Sequence, residues 1–225
     1  LQTKIEGQNA QTFAKGTSSA KPMALSFYVK GNASATYVAE IFDENDRQCS
    51  KTFNVTTDWT RIKLSFPADT TGTLDDDNAT SLFINFHLHG GSNFTSGTLN
   101  SSAFASVTQA NRAVGISSIF DSTSRTFFLT GVQLEVGQNC TEFEHINNFG
   151  EELAMCQRYY YKSHTYSLSI ANGTNDVNYT FREEREKQHC MPVNMRAGPT
   201  FVAVQSAASL GTGTIRLYGN YDFVV

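Results

Sequence analysis

Two histidines separated by a single residue, His87 and His89, are the side chains in this chain best suited to binding a ligand. In a β-strand, residues two apart lie on the same side, so both imidazoles would face one direction. Such a pair can bind a transition metal, but the neighbouring sequence supplies no third ligand. Sugars are the other ligand that fits, because sugar rings stack on aromatic faces while polar side chains bind their hydroxyls.

The strand that carries these histidines predicts a glycan-binding row. Leu82, Ile84, Phe86 and Leu88 must face the core, since a one-residue slip would expose all four to water. The outward row would then comprise Phe83, Asn85, His87 and His89, with Tyr28 and Phe42 as neighbours from other strands. Packing of the same residues beneath a loop, or at a subunit interface, is the alternative.

Glu142 and Glu144 are the pair of carboxylates that resembles a glycosidase pair. A working pair must lie roughly 5–10 Å apart across a bound sugar, whereas these two flank Phe143 beside a predicted domain junction, where a structural role is expected. The chain contains no GxSxG, HExxH or phosphate-loop motif. We therefore predict no catalytic residue and no enzymatic activity.

Two oxygen-rich loops, 43–46 (DEND) and 75–78 (DDDN), could hold calcium, which takes several oxygen ligands. Neither has EF-hand spacing, and Asp and Asn favour turns without any ion. We predict no metal site and no cofactor, with calcium as the alternative at each loop. Trp59, the single tryptophan, is expected to pack in the core or at an edge, with a sugar platform as the alternative.

Short alternating segments separated by Gly, Asn, Asp and Ser clusters predict the strands that position these residues. They span residues 25–30, 37–42, 61–66, 82–89, 114–116 and 128–136. In the last of them, Phe128, Val132, Leu134 and Val136 are expected to share one face with Thr130, opposite Gln133 and Glu135. The pattern predicts an all-β, jelly-roll-like antiparallel sandwich.

Residue 150 divides the predicted domains, with the sandwich over 1–149 and a second region over 150–225. A short helix should open the second region, because Glu151 and Glu152 suit the positive end of a helix dipole. Alternation then restarts in a small distal β domain, with strands at 166–170, 177–181, 201–205, 214–218 and 221–225.

Composition excludes several classes of protein. The net charge of −4 argues against a nucleic-acid-binding protein, and no apolar run approaches the ~20 residues that span a bilayer. Four cysteines without a CxxC pair disfavour zinc; thiols are expected, with two disulfides as the alternative. Both ends of the chain are strand-like, so we expect it to be part of a longer polypeptide.

Three motifs in fixed order carry a resemblance: TGVQLEVG over 130–137, FEH over 143–145 and GEELAMCQRYY over 150–160. Together with several stretches before them and PVNMRAGPT over 192–200, they resemble bacteriophage tail fibre and other virion surface proteins. Apart from the stretch at 192–200, the resemblance covers roughly residues 1–162. It implies a carbohydrate-binding-module-like β-sandwich, a connector and a distal domain. Such sandwiches often place a calcium-binding acidic residue in the last strand, but the corresponding residues 129–132 (LTGV) include none.

The same resemblance implies a non-enzymatic virion appendage that attaches to the host, with surface glycans as ligands. It implies a homotrimer. Three successive tyrosines, Tyr159, Tyr160 and Tyr161, are too aromatic for a free surface, so we expect them to anchor the distal domain or to lie at or near the trimer interface. Other virion proteins and a host receptor are the expected partners, and the virion tail or capsid surface is the expected location. Two alternatives remain: the carbohydrate-binding module of a polysaccharide depolymerase, and a purely structural capsid or tail decoration.

Overall fold

Eight β-strands in the described part of the chain form two antiparallel sheets. The structure is a computed structural model and describes residues 1–145, 148–160 and 193. The strands are β1 (Gln2–Glu6), β2 (Met23–Gly31), β3 (Ala35–Asp43), β4 (Arg47–Val55), β5 (Thr60–Phe66), β6 (Thr80–His87), β7 (Ala105–Ser106) and β8 (Phe127–Val136). The predicted all-β sandwich is therefore confirmed.

The two sheets have different strand numbers and orders. The five-stranded sheet has the order β1-β6-β3-β4-β7, and the three-stranded sheet has the order β5-β2-β8. Strands β1 and β8 each lie at the edge of their sheet, so each has a hydrogen-bonded neighbour on one side only.

The core lies between the inner faces of the two sheets. Phe27 of β2 contacts Phe53 of β4 and Phe86 of β6 edge-on, each with ring centroids 5.0 Å apart. Edge-to-face packing is the arrangement that aromatic quadrupoles favour. Leu82 and Ile84 are buried in the same core, and Leu88 packs against it, as the alternation of β6 predicts.

Helices are few among the described residues. Two are single turns, α1 (Gly7–Ala10) and α2 (Ser92–Thr95), and short 3-10 turns lie at Gln11–Phe13, Gln109–Asn111 and Ile119–Asp121. The predicted helix after the sandwich is present as α3 (Phe149–Gln157), capped by Asn148, whose Oδ1 accepts a 3.0 Å hydrogen bond from the backbone N–H of Gly150.

Two details of the predicted strands are wrong. Residues 114–116 form no strand, because Val114 and Gly115 lie in a turn, with a left-handed φ of +83° at Gly115. They belong to the long, mostly irregular connection between β6 and β8, residues 88–126, which also contains α2 and β7. In β8, Gly131 and Val132 together lie opposite Phe27, a β-bulge that the left-handed φ of +58° at Gly131 permits. The bulge reverses the alternation, so Phe127, Leu129 and Leu134 pack against the core while Phe128 is half exposed.

The chain divides into two units, Leu1–Glu144 and His145–Val225. The first unit contains both sheets, and α3 belongs to the second. The strands predicted for a distal β domain lie outside the described residues.

Candidate functional site

The outer face of the five-stranded sheet, the side turned away from the core, carries the predicted glycan-binding row. Two sets of residues lie side by side across its strands, as the pairing register shows. One set is Gln2, Asn85, Glu40 and Ser50; the next is Lys4, Phe83, Phe42 and Gln48. The structure thus places Phe83, Asn85 and Phe42 together on one face.

A buried carboxylate, Glu40, is the centre of the first set. Its side chain has no exposed surface. Arg112 binds it in a bidentate manner, with Nε donating to Oε1 at 2.8 Å and Nη2 to Oε2 at 2.7 Å. Asn85 Nδ2 donates to Oε2 at 2.8 Å, and His87 Nε2 lies 3.0 Å from the same oxygen. Four contacts therefore satisfy both oxygens of a fully buried charge.

These contacts determine the ionisation of Glu40. Burial alone would raise the pKa of this carboxyl, but the hydrogen bonds and charges of Arg112 and His87 outweigh it and hold the pKa below its ordinary value. Glu40 is consequently an anion at neutral pH, and it fixes the orientation of the groups around it.

The hydrogen-bonded network continues to exposed residues on both sides of Glu40. Gln2 Nε2 donates to Asn85 Oδ1 at 2.8 Å. On the other side, Arg112 Nη1 donates to Gln109 Oε1 at 3.0 Å. Both glutamines are exposed, so two solvent-accessible amides border a rigid buried centre. We call Gln2, Glu40, Asn85, His87, Gln109 and Arg112 the Glu40 network.

Aromatic rings lie directly beside the Glu40 network. Phe42 and Phe83 are half-buried neighbours with centroids 5.7 Å apart and planes tilted by 59°. The guanidinium of Arg112 lies over Phe42 at 4.8 Å and over Phe94 at 5.7 Å. Stacking on two rings restrains Arg112 further, as cation–π contacts do.

Part of the predicted row is covered by the β6–β8 connection. Phe94 of α2 lies 6.4 Å from the ring of His87, and Arg112 comes from the same connection. The backbone N–H of Ser117 also donates to the carbonyl of Thr36 on β3. His87 and Asn85 thus pack beneath a loop, which was the alternative to a glycan-binding row. Phe42 and Phe83 keep part of their surface exposed.

The two histidines of the HxH motif have different environments. His87 binds Glu40, whereas His89 is exposed, with Nδ1 2.8 Å from Ser118 Oγ and its ring 5.1 Å from Phe120. Among the described residues, no group of three or more His, Cys, Asp or Glu side chains could hold a metal ion.

Tyr28 does not belong to this site. It lies on β2 of the three-stranded sheet, opposite Arg61 and Thr130, so its predicted position beside Phe83 is wrong. Successive side chains of β2 alternate, and Phe27 takes the inward position. Tyr28 instead contacts Phe143 edge-on at 6.4 Å.

Glu142 and Glu144, the two glutamates that resemble a glycosidase pair in sequence, lie beside the three-stranded sheet that also contains Tyr28. Glu142 is 92% exposed, and its Oε2 lies 3.5 Å from Arg61 Nη1. The backbone N–H of Glu144 donates to Gln133 Oε1 of β8 at 3.0 Å. These contacts attach residues 141–144 to the three-stranded sheet.

In the two oxygen-rich loops, 43–46 and 75–78, side-chain oxygens accept hydrogen bonds from backbone N–H groups. Asp43 Oδ1 accepts backbone hydrogen bonds from Asn45 and Arg47, each 2.9 Å. Asp77 Oδ1 accepts one from Ala79 at 2.8 Å. Glu44 Oε1 accepts a 2.8 Å bond from the backbone of Asp75, so the two loops contact each other.

Several predicted residues lie on exposed surface elsewhere. Trp59 is half exposed and contacts Phe128 at 6.4 Å, which corresponds to edge packing. Tyr159 and Tyr160 are 52% and 59% exposed, and Tyr161 lies outside the described residues. Three of the four cysteines lie in the described part of the chain, and all three are free thiols: Cys49 is buried, Cys140 is partly exposed and Cys156 is exposed. Cys190 lies outside the described residues.

Sequence reasoning missed Glu40, Arg112 and Gln2. A charge inside the apolar segment 37–42 (YVAEIF) was the available signal for Glu40, since buried charges need partners. Arg112 gave no such signal, because it lies in an irregular connection 72 residues away in sequence.

The chain matches no protein-family model, no curated protein and no solved structure. Among the described helices, none is long and apolar enough to cross a membrane.

Proposed function

We propose that this chain is a non-enzymatic virion appendage protein that attaches to the host by binding surface glycans. The observation that carries the proposal is the pair of half-buried rings, Phe42 and Phe83, beside the rigid Glu40 network. The virion assignment is supported by the resemblance of the motifs at 130–137, 143–145 and 150–160 to those of tail fibre and virion surface proteins.

The rings supply the apolar part of a sugar site. Sugar rings present C–H patches that stack on aromatic faces, and Phe83 lies between Lys4 of β1 and Phe42 of β3. The exposed side chain of Lys4 provides a donor at one border of this surface.

The Glu40 network supplies the polar part. Sugar hydroxyls need donors and acceptors that are already oriented, because ordering flexible side chains on binding costs free energy. Glu40 holds Arg112 and Asn85, which in turn orient Gln109 and Gln2. The side-chain amides of Gln2 and Gln109 are thus the polar groups available to a sugar, because the buried charge of Glu40 is already paired with Arg112.

Assembly would strengthen such a site. A shallow surface gains little free energy per sugar, and linked copies raise the effective concentration of each further contact. We propose a homotrimer in which the exposed Tyr159 and Tyr160 contribute to an interface. Native mass spectrometry and light scattering at micromolar concentration test this, and a monomer under those conditions contradicts it.

A glycan array probed with the full chain tests the binding site. We expect Phe83→Ala to lose binding, because the ring that stacks on the sugar is removed. Phe128→Ala is the matched control, since Phe128 is a half-exposed phenylalanine on the other sheet. Equal binding by Phe83→Ala and the parent would show that glycans do not bind here. Circular dichroism verifies that both variants are folded.

The absence of catalysis is tested separately. We expect no release of reducing ends from any polysaccharide on the array. Release that disappears in Glu142→Gln or Glu144→Gln would instead support a depolymerase.

A further inference from the structure

A lysine and two aspartates are buried together near the ends of β3 and β5. The side chains of Lys15 and Asp43 have no exposed surface, and that of Asp69 is only 6% exposed. Lys15 Nζ contacts Asp43 Oδ2 directly and lies 3.0 Å from Asp69 Oδ2. The ring centroid of Phe104 is 5.3 Å from Nζ. An amine, a carboxyl group and a second carboxylate thus meet where water has little access.

The backbone around Asp43 binds the carboxyl oxygen that does not face Lys15. Oδ1 accepts hydrogen bonds from the backbone N–H groups of Asn45 and Arg47, each 2.9 Å long. Two backbone N–H groups on one oxygen are the arrangement that stabilises the negative charge of a tetrahedral intermediate in acyl transfer. The other oxygen, Oδ2, faces the amine. The two oxygens therefore have the environments of an oxyanion and of a leaving group.

Asp69 is positioned to accept a proton from the amine. Arg47 Nε donates to its Oδ2 at 2.7 Å and Nη2 to its Oδ1 at 2.9 Å, and the backbone N–H of Thr71 donates to Oδ1 at 3.1 Å. Burial alone would raise the pKa of Asp69, but the hydrogen bonds from Arg47, Lys15 and Thr71 hold it below its ordinary value. Asp69 is consequently an anion at neutral pH and can act as a base.

Two backbone carbonyls orient the amine. The carbonyl oxygens of Thr71 and Gly72 each lie 3.0 Å from Lys15 Nζ. A neutral amine has two N–H donors and one lone pair, so these carbonyls accept both donors and leave the lone pair to the carboxyl groups. Gly72 permits the turn that brings its carbonyl here, because its φ of +74° lies in the left-handed region.

We propose that Lys15 and Asp43 form an intramolecular isopeptide bond, with Asp69 as the general base. Proton transfer from the Lys15 ammonium to Asp43 Oδ2 gives a neutral amine and a neutral carboxylic acid, the forms that burial favours. The amine attacks Cγ, and the negative charge moves to Oδ1. Asp69 takes a proton from the attacking nitrogen and passes it to Oδ2. The Cγ–Oδ2 bond breaks, the Nζ–Cγ amide remains and one water molecule leaves, so no other reactant is required.

The fold supplies the driving force that an activating reagent would otherwise provide. Free acids and amines do not condense in water, but reacting groups held in contact have effective molarities of roughly 10⁵–10⁸ M. The bond would close a loop over residues 15–43, which contains β2 of the three-stranded sheet and β3 of the five-stranded sheet. Such a cross-link restricts the unfolded chain and so stabilises the sandwich. The chain modifies itself once and turns over no substrate, so this inference is independent of glycan binding.

Intact-mass spectrometry of the full chain in denaturant tests the proposal. The parent should be lighter than its sequence by one water molecule. Tryptic digestion should yield a branched peptide that joins Lys15 to Asp43, because trypsin does not cleave after an acylated lysine. A parent with the full mass of its sequence overturns the proposal. A loss of water that maps to a single linear peptide, as from an aspartyl succinimide, overturns it as well.

Two variants test the assigned roles. Lys15→Arg is the matched control for the nucleophile, since arginine keeps the positive charge but its guanidinium stays protonated; it should retain the full mass. Asp69→Asn should form the bond roughly 100-fold more slowly, because the amide cannot accept the proton, and unreacted chain should be visible. Complete loss of water from Asp69→Asn overturns the role of Asp69 as base. The parent's own mass and peptide map decide the proposal even if neither variant folds.

Discussion

Glu40 and Arg112 form a bidentate ion pair on the outer face of the five-stranded sheet, with donor–acceptor distances of 2.8 and 2.7 Å. The pair joins β3 to the β6–β8 connection, which covers part of that face. One interaction thus orients the polar groups of the candidate site and attaches a long irregular segment to the sandwich.

The first prediction concerns the stability that this pair provides. Arg112→Met should lower the free energy of unfolding by about 3–5 kcal/mol, because a buried carboxylate is left without its main partner. Urea unfolding followed by Trp59 fluorescence measures it, since Trp59 is the single tryptophan and lies in the first unit. Arg125→Met is the control: its pair with Asp121 is at the surface, so we expect little change. Equal effects of the two variants would contradict the role of Glu40.

Acid should destabilise the sandwich through Glu40 and Asp69. Burial raises both pKa values, but hydrogen bonds from Arg112 and His87 to Glu40, and from Arg47 and Lys15 to Asp69, lower them below their ordinary 4.5 and 3.8. A folded-state pKa below the unfolded one gives stability that is complete above the unfolded pKa and is lost as the pH falls through the folded pKa. Unfolding free energy should therefore decrease below about pH 4.

Glu40→Gln separates the contribution of Glu40 to acid sensitivity from that of Asp69. This variant should be less stable at pH 7, and its stability should fall less steeply between pH 5 and pH 2 by urea titration. A slope identical to that of the parent would show that Glu40 does not titrate with unfolding.

The bulge in β8 depends on Gly131. Gly131→Ala should cost about 1–2 kcal/mol, because a side chain in the left-handed region meets the following carbonyl. The new Cβ would also lie 3.0 Å from Tyr28 Cδ2. Gly91→Ala is the matched control, with an ordinary φ of −77° and no atom within 4 Å of its Cβ. Urea unfolding of both variants measures the difference, and equal stability would argue against strain at residue 131.

The thiols of Cys49 and Cys156 should differ in reactivity. Burial raises the pKa of Cys49 to about 11, while Cys156 is exposed. Since the thiolate is the reacting form, iodoacetamide at pH 8 should modify Cys49 at least roughly 100-fold more slowly than an exposed thiol. Peptide mapping by mass spectrometry measures both rates. Urea should abolish the difference, and comparable rates in the folded protein would contradict burial of Cys49.

Local alternation was enough to predict which side of β6 faces the core. Leu82, Ile84 and Phe86 are buried, and Phe83, Asn85 and His87 share the other face. The helix after residue 148 was equally predictable, because an Asn cap and two acidic residues in the first turn are local features. Such features depend on neighbours a few residues apart, so the amino-acid sequence by itself determines them.

Tertiary structure alone decided which strands are neighbours. Tyr28 and Phe42 both occupy outward positions in alternating strands, yet they lie on different sheets. A period of two identifies the face of a strand and carries no information about its partner. Pairing depends on contacts between distant segments, as in the match of Phe42 with Phe83.

The charged groups depended on tertiary structure most of all. Arg112 reaches Glu40 across 72 residues, and Lys15 reaches Asp43 across 28. From the sequence alone, Arg112, Lys15 and Asp43 look solvent-exposed, because Lys, Arg and Asp are seldom buried unless paired. Only Glu40 lies inside an apolar segment. Burying such a charge is unfavourable unless its partner is buried beside it. The sequence by itself determined that these charges exist, and the packing of the sandwich decided which of them form pairs.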